Sequence, residues 1–307
     1  MNLEILKKLN SKSKPNFSEI SEELDLSRTT IQNKLEKLFK NKVIKDYTIN
    51  INPNINPSLK YVFLEIKTNP NEPLLVEQLL EIPQLKVLDG IFGEFSLMAL
   101  FIFKNSNDFN EVLNHIDSIM ANSCFKKYQL IETIRVFKTN GITLNNFEIN
   151  PNYELDDFDH LILQILQNEQ GFKLISTYEM KQMMDKDISQ STIYNKVKKL
   201  EENGIILNYT INFCPKKIGF NGKFLVRIKP KDPSKYDEIA MNLAKRHEII
   251  NLFRIGEQYG LFATVRVKNI EDYSSFIRNL YQTEEIEDTY TNFVLDELKP
   301  YTNFIIY

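Results

Sequence analysis

The 307-residue chain is 42% hydrophobic and has a formal net charge of -3 at pH 7. This apolar content is enough for folded cores, and no apolar run reaches membrane-spanning length. The sequence therefore excludes a disordered or membrane protein and predicts a cytoplasmic one without a targeting segment. Cys124 and Cys214 have no companions at the spacing of a metal site or a disulfide framework. We therefore expect two buried thiols and no metal or other cofactor.

Residues 1–52 have the pattern of a winged helix-turn-helix. Apolar residues at three-and-four spacing predict a first helix near Leu3–Leu9 and a second near Ile20–Leu24. After a short turn, Ser27 suits the N-cap of a third amphipathic helix. The stretch 44–51 then alternates apolar and polar residues, which predicts a strand.

Residues 53–139 have the pattern of a ferredoxin-like domain, in which strands and helices follow one another as βαββαβ. The predicted elements, in that order, lie at 60–67, 73–81, 85–92, 97–104, 108–120 and 128–138. Within the predicted strand 97–104, the run Leu97–Phe103 is apolar on both alternations. We therefore expect both of its faces to be covered, one by the two helices and the other by a second sheet.

The chain then repeats this whole unit, and most of the matching residues are separated by 162 positions. Ser27–Leu38 aligns with Ser189–Leu200, and Tyr47–Asn50 aligns with Tyr209–Asn212. Small insertions change the offset slightly in later loops but preserve the order of the elements. One unit of about 150 residues is therefore used twice.

The second copy follows an Asn- and Pro-rich stretch at 140–153, which suits a linker. We expect a second winged helix-turn-helix at 154–214 and a second ferredoxin-like domain at 215–307. Ser176 and Glu179 have the spacing of a capping box at the start of a helix. The predicted βαββαβ elements lie at 223–229, 233–245, 249–255, 261–267, 270–280 and 290–298.

Three motifs give the second copy a clear resemblance to the Lrp/AsnC (leucine-responsive/asparagine-regulation) family. They are the opening Leu155–Leu163, the pattern Ser189-x-x-Thr192-Ile193, and the run Leu200–Tyr209. Copy one lacks the Leu-Asp-Asp opening and has Lys42 where the family usually has glycine. The resemblance implies an α+β fold made of two copies of a winged helix-turn-helix plus a ferredoxin-like βαββαβ sensor domain.

The same resemblance implies the partners. They are double-stranded DNA and an amino-acid or other small-molecule effector, with no membrane. Sensor sheets of the family stack face to face in dimers, which would cover the doubly apolar strand. We therefore expect self-association through the sensor sheets, within one chain or between chains.

The third helix of each copy is the candidate DNA-binding element, since a recognition helix places its first residues at base edges and nearby basic residues at phosphates. The candidates are Arg28, Thr29, Gln32, Asn33, Lys34, Lys37, Gln190, Ser191, Tyr194, Asn195, Lys196 and Lys199. Residues 1–52 hold ten basic and seven acidic side chains, so copy one is mildly basic. A solvated polar face is the alternative for one helix alone, but the repetition favours DNA. Because Arg28 corresponds to Gln190, and Gln32 to Tyr194, we expect a DNA site that is not a true palindrome.

The loop between the second and third sensor strands is the candidate effector site. It resembles the family's Gly-Asp-Tyr-Asp loop, in which glycine lets backbone N–H groups approach a carboxylate and an acid accepts the ligand's ammonium. The candidates are Gly93, Glu94, Ser96, Gly256, Glu257, Tyr259 and Gly260. Ser96 and Gly260 replace the family's second Asp, so a purely structural turn remains the alternative.

An enzyme is the competing class, because siroheme decarboxylases are similar to this family and also occur as paired copies. Their activity depends on histidine and arginine in the sensor region, whereas this chain has only His115, His160 and His247. Arg254 and Tyr259 are the single hint of such a site. We therefore expect a regulator and not an enzyme, with an assembly module that binds neither DNA nor ligand as the third alternative.

Overall fold

A computed structural model of the chain describes residues 2–10, 14–69, 72–144, 153–184 and 188–307. The elements of copy one are α1 (Asn2–Leu9), α2 (Phe17–Glu23), α3 (Arg28–Lys40), β1 (Ile44–Ile51), β2 (Lys60–Lys67), α4 (Pro73–Leu80), β3 (Leu85–Ile91), β4 (Leu97–Phe103), α5 (Ser106–Ala121), β5 (Lys127–Thr139) and β6 (Ile142–Thr143). The elements of copy two are α6 (Asp157–Asn168), α7 (Thr177–Met183), α8 (Gln190–Glu202), β7 (Ile206–Phe213), β8 (Gly222–Pro230), α9 (Tyr236–Ala244), β9 (Ile249–Ile255), β10 (Leu261–Val267), α10 (Ile270–Tyr281) and β11 (Ile286–Glu297). Within the described ranges, no helix is both long and apolar enough to cross a bilayer.

The chain forms two compact units, and each combines parts of both copies. The helix-turn-helix unit comprises Met1–Ile55, Asn140–Gly219 and Tyr301–Tyr307. The sensor unit comprises Asn56–Thr139 and Phe220–Pro300. These units do not follow the chain-order segments expected from the sequence. Of the expected linker at 140–153, residues 145–152 lie outside the described residues.

The helix-turn-helix unit contains two three-helix domains with similar helix starts. Ser27 and Ser189 cap α3 and α8 by accepting the backbone N–H three residues on, and Ser176 and Glu179 form the predicted capping box at α7. The third helices bury the expected apolar faces, which are Ile31, Leu35 and Leu38 in α3 and Ile193, Val197 and Leu200 in α8.

The two helix-turn-helix domains are joined by an antiparallel ladder between β1 and β7. Its centre pairs Thr48 with Thr210, which are the same position in the two copies. An antiparallel pair centred on equivalent residues relates its two halves by an approximate two-fold axis. The two recognition helices α3 and α8 therefore lie in equivalent positions on either side of this ladder.

The C-terminal segment Tyr301–Tyr307 belongs to the helix-turn-helix unit, although the sequence placed it in the second sensor domain. Phe304 and Ile306 are buried, and the ring of Phe304 lies 5.1 Å from that of Phe213. Thr302 also exchanges backbone hydrogen bonds with Phe213. Burial of these apolar side chains in the helix-turn-helix unit is more favourable than their exposure to water. This hydrophobic gain explains why the segment packs there.

Eight described strands of the sensor unit belong to one sheet that closes on itself, and β6 extends this sheet beside β5. The strand order is β2-β4-β3-β11-β8-β10-β9-β5, and β5 also pairs with β2. Each copy contributes the four-stranded order of a ferredoxin-like domain, β5-β2-β4-β3 and β11-β8-β10-β9. The long strands β5 and β11 each pair with their own copy along one half and with the other copy along the other half. The two sensor copies therefore pair within one chain.

Each sheet has one face toward its helices and one toward the other copy. On β4, Leu97, Ala99, Phe101 and Phe103 join the helix-side core, while Met98 and Leu100 are buried on the opposite face. The prediction that this strand is covered on both faces is thus confirmed. Between the copies, the ring of Phe63 lies 4.3 Å from Phe262 and 5.2 Å from Phe253.

A few elements differ from the sequence prediction. Strand β11 begins at Ile286 rather than at residue 290, because Ile286–Thr289 pairs with β8 although its alternation is too polar to indicate a strand. The predicted helix 233–245 begins as a 3-10 turn, Pro233–Lys235, before α9. The expectation of two buried thiols is wrong, because Cys124 is exposed and Cys214 partly exposed. Cys124 lies in the solvated turn between α5 and β5.

Candidate nucleic-acid interface and effector loops

The start of each recognition helix presents the predicted polar side chains to solvent. In α3, Arg28, Thr29, Gln32, Asn33 and Lys37 are exposed and Lys34 is half-buried. In α8, Gln190, Ser191, Tyr194, Asn195 and Lys199 are exposed and Lys196 is half-buried. The two surfaces match position by position, because the buried residues of both helices have the same spacing.

Arg28, Ser191 and Lys196 already have partners in the helix-turn-helix unit. The Arg28 guanidinium donates to Ser18 Oγ on α2 at 2.6 Å. The Ser191 hydroxyl lies 2.8 Å from that of the capping residue Ser189. The contacts of Arg28 and Ser191 are solvent-exposed, so exchanging them for a contact with a nucleic acid would expose no buried polar group.

Lys34 and Lys196 occupy the same position in the two copies but have different surroundings. Lys196 Nζ lies 2.5 Å from Asp156 and 3.1 Å from Asp159, whose side chain is only 1% exposed. Burial works to lower the pKa of Lys196, but hydrogen bonds to the two carboxylates raise it overall. Among the described residues, no carboxylate forms an ion pair with Lys34. Lys196 therefore joins α8 to the start of α6 through its ion pairs, whereas the Lys34 ammonium is not engaged by a carboxylate of the described residues.

Positive charge is concentrated on the copy-one side of this unit. Lys40, Lys42 and Lys45, at the end of α3 and the start of β1, are exposed. The corresponding residues of copy two are Glu202, Gly204 and Leu207. Two further exposed lysines, Lys216 and Lys217, adjoin the copy-one group, and Lys217 Nζ donates to the Asn41 carbonyl at 2.7 Å. We call Lys40, Lys42, Lys45, Lys216 and Lys217 the lysine cluster.

The copy-one effector loop lies between β3 and β4 in the sensor unit. Gly93 has a φ of +153°, a conformation that L side chains rarely adopt. The Glu94 carboxylate forms an exposed ion pair with Lys127 at 2.6 Å, which lowers the pKa of Glu94. Ser96 donates from Oγ to the Thr68 carbonyl. The single acid of this loop is therefore at the surface with a replaceable ammonium partner.

The copy-two loop, between β9 and β10, is more enclosed. Glu257 lies 2.7 Å from Nε of the buried Arg227. Burial raises the pKa of Glu257, although Arg227 acts to lower it. The Tyr259 hydroxyl donates to Asp288 at 3.2 Å. Gly260 has a φ of +81°, and a Cβ there would lie 2.2 Å from Arg254 Nη1.

The two effector loops approach each other near the middle of β11. A Cβ on Gly93 would lie 3.0 Å from Asn292 Nδ2, and the rings of Tyr259 and Tyr290 have centroids 6.3 Å apart. Arg227 Nη1 donates to Asn292 Oδ1 at 3.3 Å. Gly256 contacts β5 instead, donating from its backbone to the Glu132 carbonyl.

Sequence reasoning missed three polar residues that join these loops, Arg227, Tyr290 and Asn292. Their β-strands have no motif that marks them. Arg227 gave one signal, because it interrupts the apolar run Phe224–Ile228 and aligns with Glu65, a residue of opposite charge. A charge of this kind on a strand buried on both faces indicates a partner across the sheet.

The three histidines do not form a cluster. His115 on α5 and His247 after α9 are exposed in the sensor unit, and His160 on α6 is exposed in the helix-turn-helix unit. Arg254 stacks 3.4 Å from the Tyr236 ring centre and donates to the Gly260 carbonyl. Within the part of the chain that the structure describes, no three His, Cys, Asp or Glu side chains could hold a metal ion together.

The amino-acid sequence is similar to a family domain and to several known proteins. Residues 223–304 match the Lrp/AsnC ligand binding domain. The HTH-type transcriptional regulator FL11 of Pyrococcus horikoshii is 30% identical over 152 residues, covering 50% of this chain and 97% of that protein. The glutamate uptake regulatory protein of Zymomonas mobilis is 26% identical over 149 residues, covering 48% of this chain and 87% of that protein.

A solved structure resembles the whole tandem fold. The siroheme decarboxylase NirDL has a TM-score of 0.62 at 13% identity, and the match covers 97% of this chain and 92% of that one. At this identity the likeness concerns the fold alone. With the two recognition helices, the paired sensor sheets and the sequence relatives taken together, the chain belongs to the Lrp/AsnC family of transcription regulators.

Proposed function

We propose that this protein is a sequence-specific transcription regulator that binds double-stranded DNA in the cytoplasm with both recognition helices of one chain. The observation that carries the proposal is the β1–β7 ladder, which relates α3 and α8 by an approximate two-fold axis. This is the arrangement that lets two identical subunits of an ordinary dimer meet two half-sites. The sequence relatives named as HTH-type transcriptional regulators support the same function.

Phosphate contacts would come mainly from copy one. Lys34 forms no ion pair with a carboxylate of the described residues, and Lys37 is exposed on the same helix. In copy two, Lys199 remains exposed, but Lys196 is held by Asp156 and Asp159. Because backbone phosphates supply most of the sequence-independent affinity, the copy-one half-site should be held more tightly.

Base contacts would differ between the two half-sites. Arg prefers guanine and Gln prefers adenine, whereas Tyr offers one hydroxyl and an apolar ring. The exposed pair Arg28 and Gln32 corresponds to Gln190 and Tyr194. Asn33 and Asn195 are shared and should give the halves a common element. To contact a base, Arg28 exchanges its hydrogen bond with Ser18 for the base edge.

Effector binding is proposed at the copy-one loop. The acid of this loop, Glu94, holds the exposed ammonium of Lys127, which an amino-acid ligand's own ammonium could replace. The acid of copy two, Glu257, is paired instead with Nε of the buried Arg227, and its displacement would leave that nitrogen buried without a partner. Calorimetry with the twenty amino acids should therefore give binding that Glu94→Gln abolishes, and binding unaffected by this change would refute the assignment.

Selection of binding sites from random DNA tests the DNA-binding proposal. The parent should select sites with two unequal halves. A double variant, Arg28→Gln with Gln32→Tyr, makes α3 resemble α8 and should shift the selected sites toward palindromes. A mismatch at a contacted base costs about 1 to 3 kcal/mol, which is large enough to appear in the selected sequences. Perfect palindromes selected by the parent would contradict the asymmetric arrangement.

The second candidate is an enzyme that acts on a tetrapyrrole, and the observation in its favour is the whole-chain likeness to NirDL. We propose that this protein is not such an enzyme, since its three histidines are exposed and lie on separate elements. A titration with siroheme that is followed by absorbance separates the two classes. A saturable spectral change without DNA binding would favour the enzyme, and failure of both assays would favour an assembly module.

A further inference from the structure

The interface between the two sensor copies contains buried charges, and their signs differ between the copies. On the strands that face the other copy, copy one contributes the acids Glu65 and Asp89. Copy two contributes the buried bases Lys223, Arg227 and Arg266, together with Glu297. The remaining buried charge of copy one, Lys138, donates to the Arg246 carbonyl at 2.8 Å.

Two ion pairs join the copies directly. Arg227 Nη2 lies 2.7 Å from Glu65, and both residues are less than 5% exposed. Lys223 Nζ lies 2.6 Å from Asp89, which is 1% exposed. Buried charges cost several kcal/mol each unless a partner compensates them, so Glu65 and Asp89 have a basic partner only when copy one faces copy two.

The bases of copy two also have acids of their own copy. Arg227 contacts Glu257 at 2.7 Å, and Lys223 lies 3.7 Å from Glu297. Glu65 accepts a hydrogen bond from Gln129 of its own copy, but neither Glu65 nor Asp89 has a second base in copy one among the described residues, because its buried Lys138 is held by a carbonyl. The penalty for a wrong pairing therefore falls mainly on copy one.

Glu65 and Arg227 occupy the same position in the two repeats, 162 residues apart. Face-to-face pairing of two copy-one sheets in the same geometry would bring Glu65 of one chain against Glu65 of another. Two buried carboxylates in contact cannot both ionise without a large cost, since like charges repel strongly where water is excluded. Such opposition of signs is a common means of excluding a wrong partner.

We propose that these buried ion pairs make the sensor interface selective, so that a copy-one sheet accepts a copy-two sheet and excludes the copy-one sheet of a second chain. The charges thereby exclude pairing of like copies from two chains, while the covalent link between the copies favours pairing within one chain. Ordinary single-copy dimers of the same architecture would need no such device, because their two sheets are identical. The inference does not depend on DNA binding.

Complementary charge reversal in the full-length chain tests the proposal. One tagged chain carries Glu65→Arg and a differently tagged chain carries Arg227→Glu. Each change alone places like charges across the interface. When the two are expressed together, copy one of the first chain faces copy two of the second with opposite charges, and the reciprocal pair keeps the native residues. We expect mixed complexes at least about tenfold above those of two tagged parent chains.

Two further measurements control for folding and for surface charge. Exposed reversals, Glu111→Arg in one chain and Lys231→Glu in the other, should give no more mixed complex than the parent. A mild variant, Glu65→Gln with Asp89→Asn, neutralises copy one and leaves the bases of copy two with Glu257 and Glu297. This variant should fold and should exchange with a tagged copy of itself at least about tenfold more than the parent. Exchange at the parent's level in this variant, or no excess of mixed complex for the reversed pair, would overturn the proposal.

Discussion

Substitution of Lys34 or Lys196 by alanine should affect different properties, although the two lysines occupy the same position in the two repeats. Lys34 forms no ion pair with a carboxylate of the described residues, so Lys34→Ala should weaken DNA binding and leave stability unchanged. Lys196 neutralises Asp159, which is fully buried, so Lys196→Ala should destabilise the helix-turn-helix unit and leave the salt dependence of binding unchanged.

The size of each effect follows from its surroundings. One lost phosphate contact reduces the steepness of log K against log salt concentration by about 0.9. The ratio of the parent's binding constant to that of Lys34→Ala should therefore fall about three- to fourfold between 50 and 200 mM salt. Removing the ammonium beside Asp159 leaves that carboxylate, among the residues that the structure describes, only hydrogen bonds from the Asp156 backbone and the Tyr153 hydroxyl. Because Lys196 is 24% exposed, we expect a loss of about 1 to 2 kcal/mol of unfolding free energy.

Fluorescence anisotropy with one duplex at several salt concentrations measures the first effect, and urea unfolding measures the second. Both variants should be measured in both assays, so that each lysine serves as the control for the other. If Lys196→Ala lowered the salt slope as much as Lys34→Ala, the assignment of Lys196 to α6 packing would be refuted. An unchanged salt slope in Lys34→Ala would show that Lys34 does not contact a phosphate.

Three further outcomes are expected in the sensor unit. Leu100→Asp places a charge on the buried inner face of β4 and should lower the unfolding free energy by at least about 3 kcal/mol, whereas parent-like stability in urea would contradict the paired sheets. Gly260→Ala should lower the melting temperature more than Gly219→Ala. Both glycines have positive φ, but only a Cβ at position 260 would contact Arg254, and equal decreases would rule out that crowding. Burial lowers the pKa of Lys138 to about 8, so the folded state binds this proton less well than the unfolded state. Stability should therefore rise by about 3 kcal/mol from pH 8 to pH 10.5, and a rise of the same size in Lys138→Met would exclude this origin.

Local structure was largely predictable from the sequence. The strands Lys60–Lys67, Ile249–Ile255 and Leu261–Val267 begin and end at the predicted residues, because their apolar runs are bounded by turns. The caps at Ser27 and Ser189 followed from a hydroxyl that accepts a backbone N–H three residues on. Each of these features depends on neighbours within a few residues.

Features that depend on distant partners were not predictable. The acids that hold Lys196 are 40 and 37 residues away along the chain, so its spacing on the helix suggested only an exposed lysine. Arg227 interrupts an apolar run, which indicates a buried partner, but nothing near it in sequence identifies that partner as Glu65 of the other copy. The segment Tyr301–Tyr307 packs with the helix-turn-helix unit because Phe304 finds an apolar site there, which no local pattern reveals.

Footprinting of the purified full-length protein on genomic DNA tests the central claim most directly. The account predicts protected sites with two half-sites about one helical turn apart, each contacted by one recognition helix. The halves should share one element, contacted by Asn33 and Asn195, and should differ at the positions contacted by Arg28 and Gln190. Stronger protection is expected on the copy-one half, where the lysine cluster lies. Absence of protection at 50 mM salt, or identical palindromic halves throughout, would contradict the account.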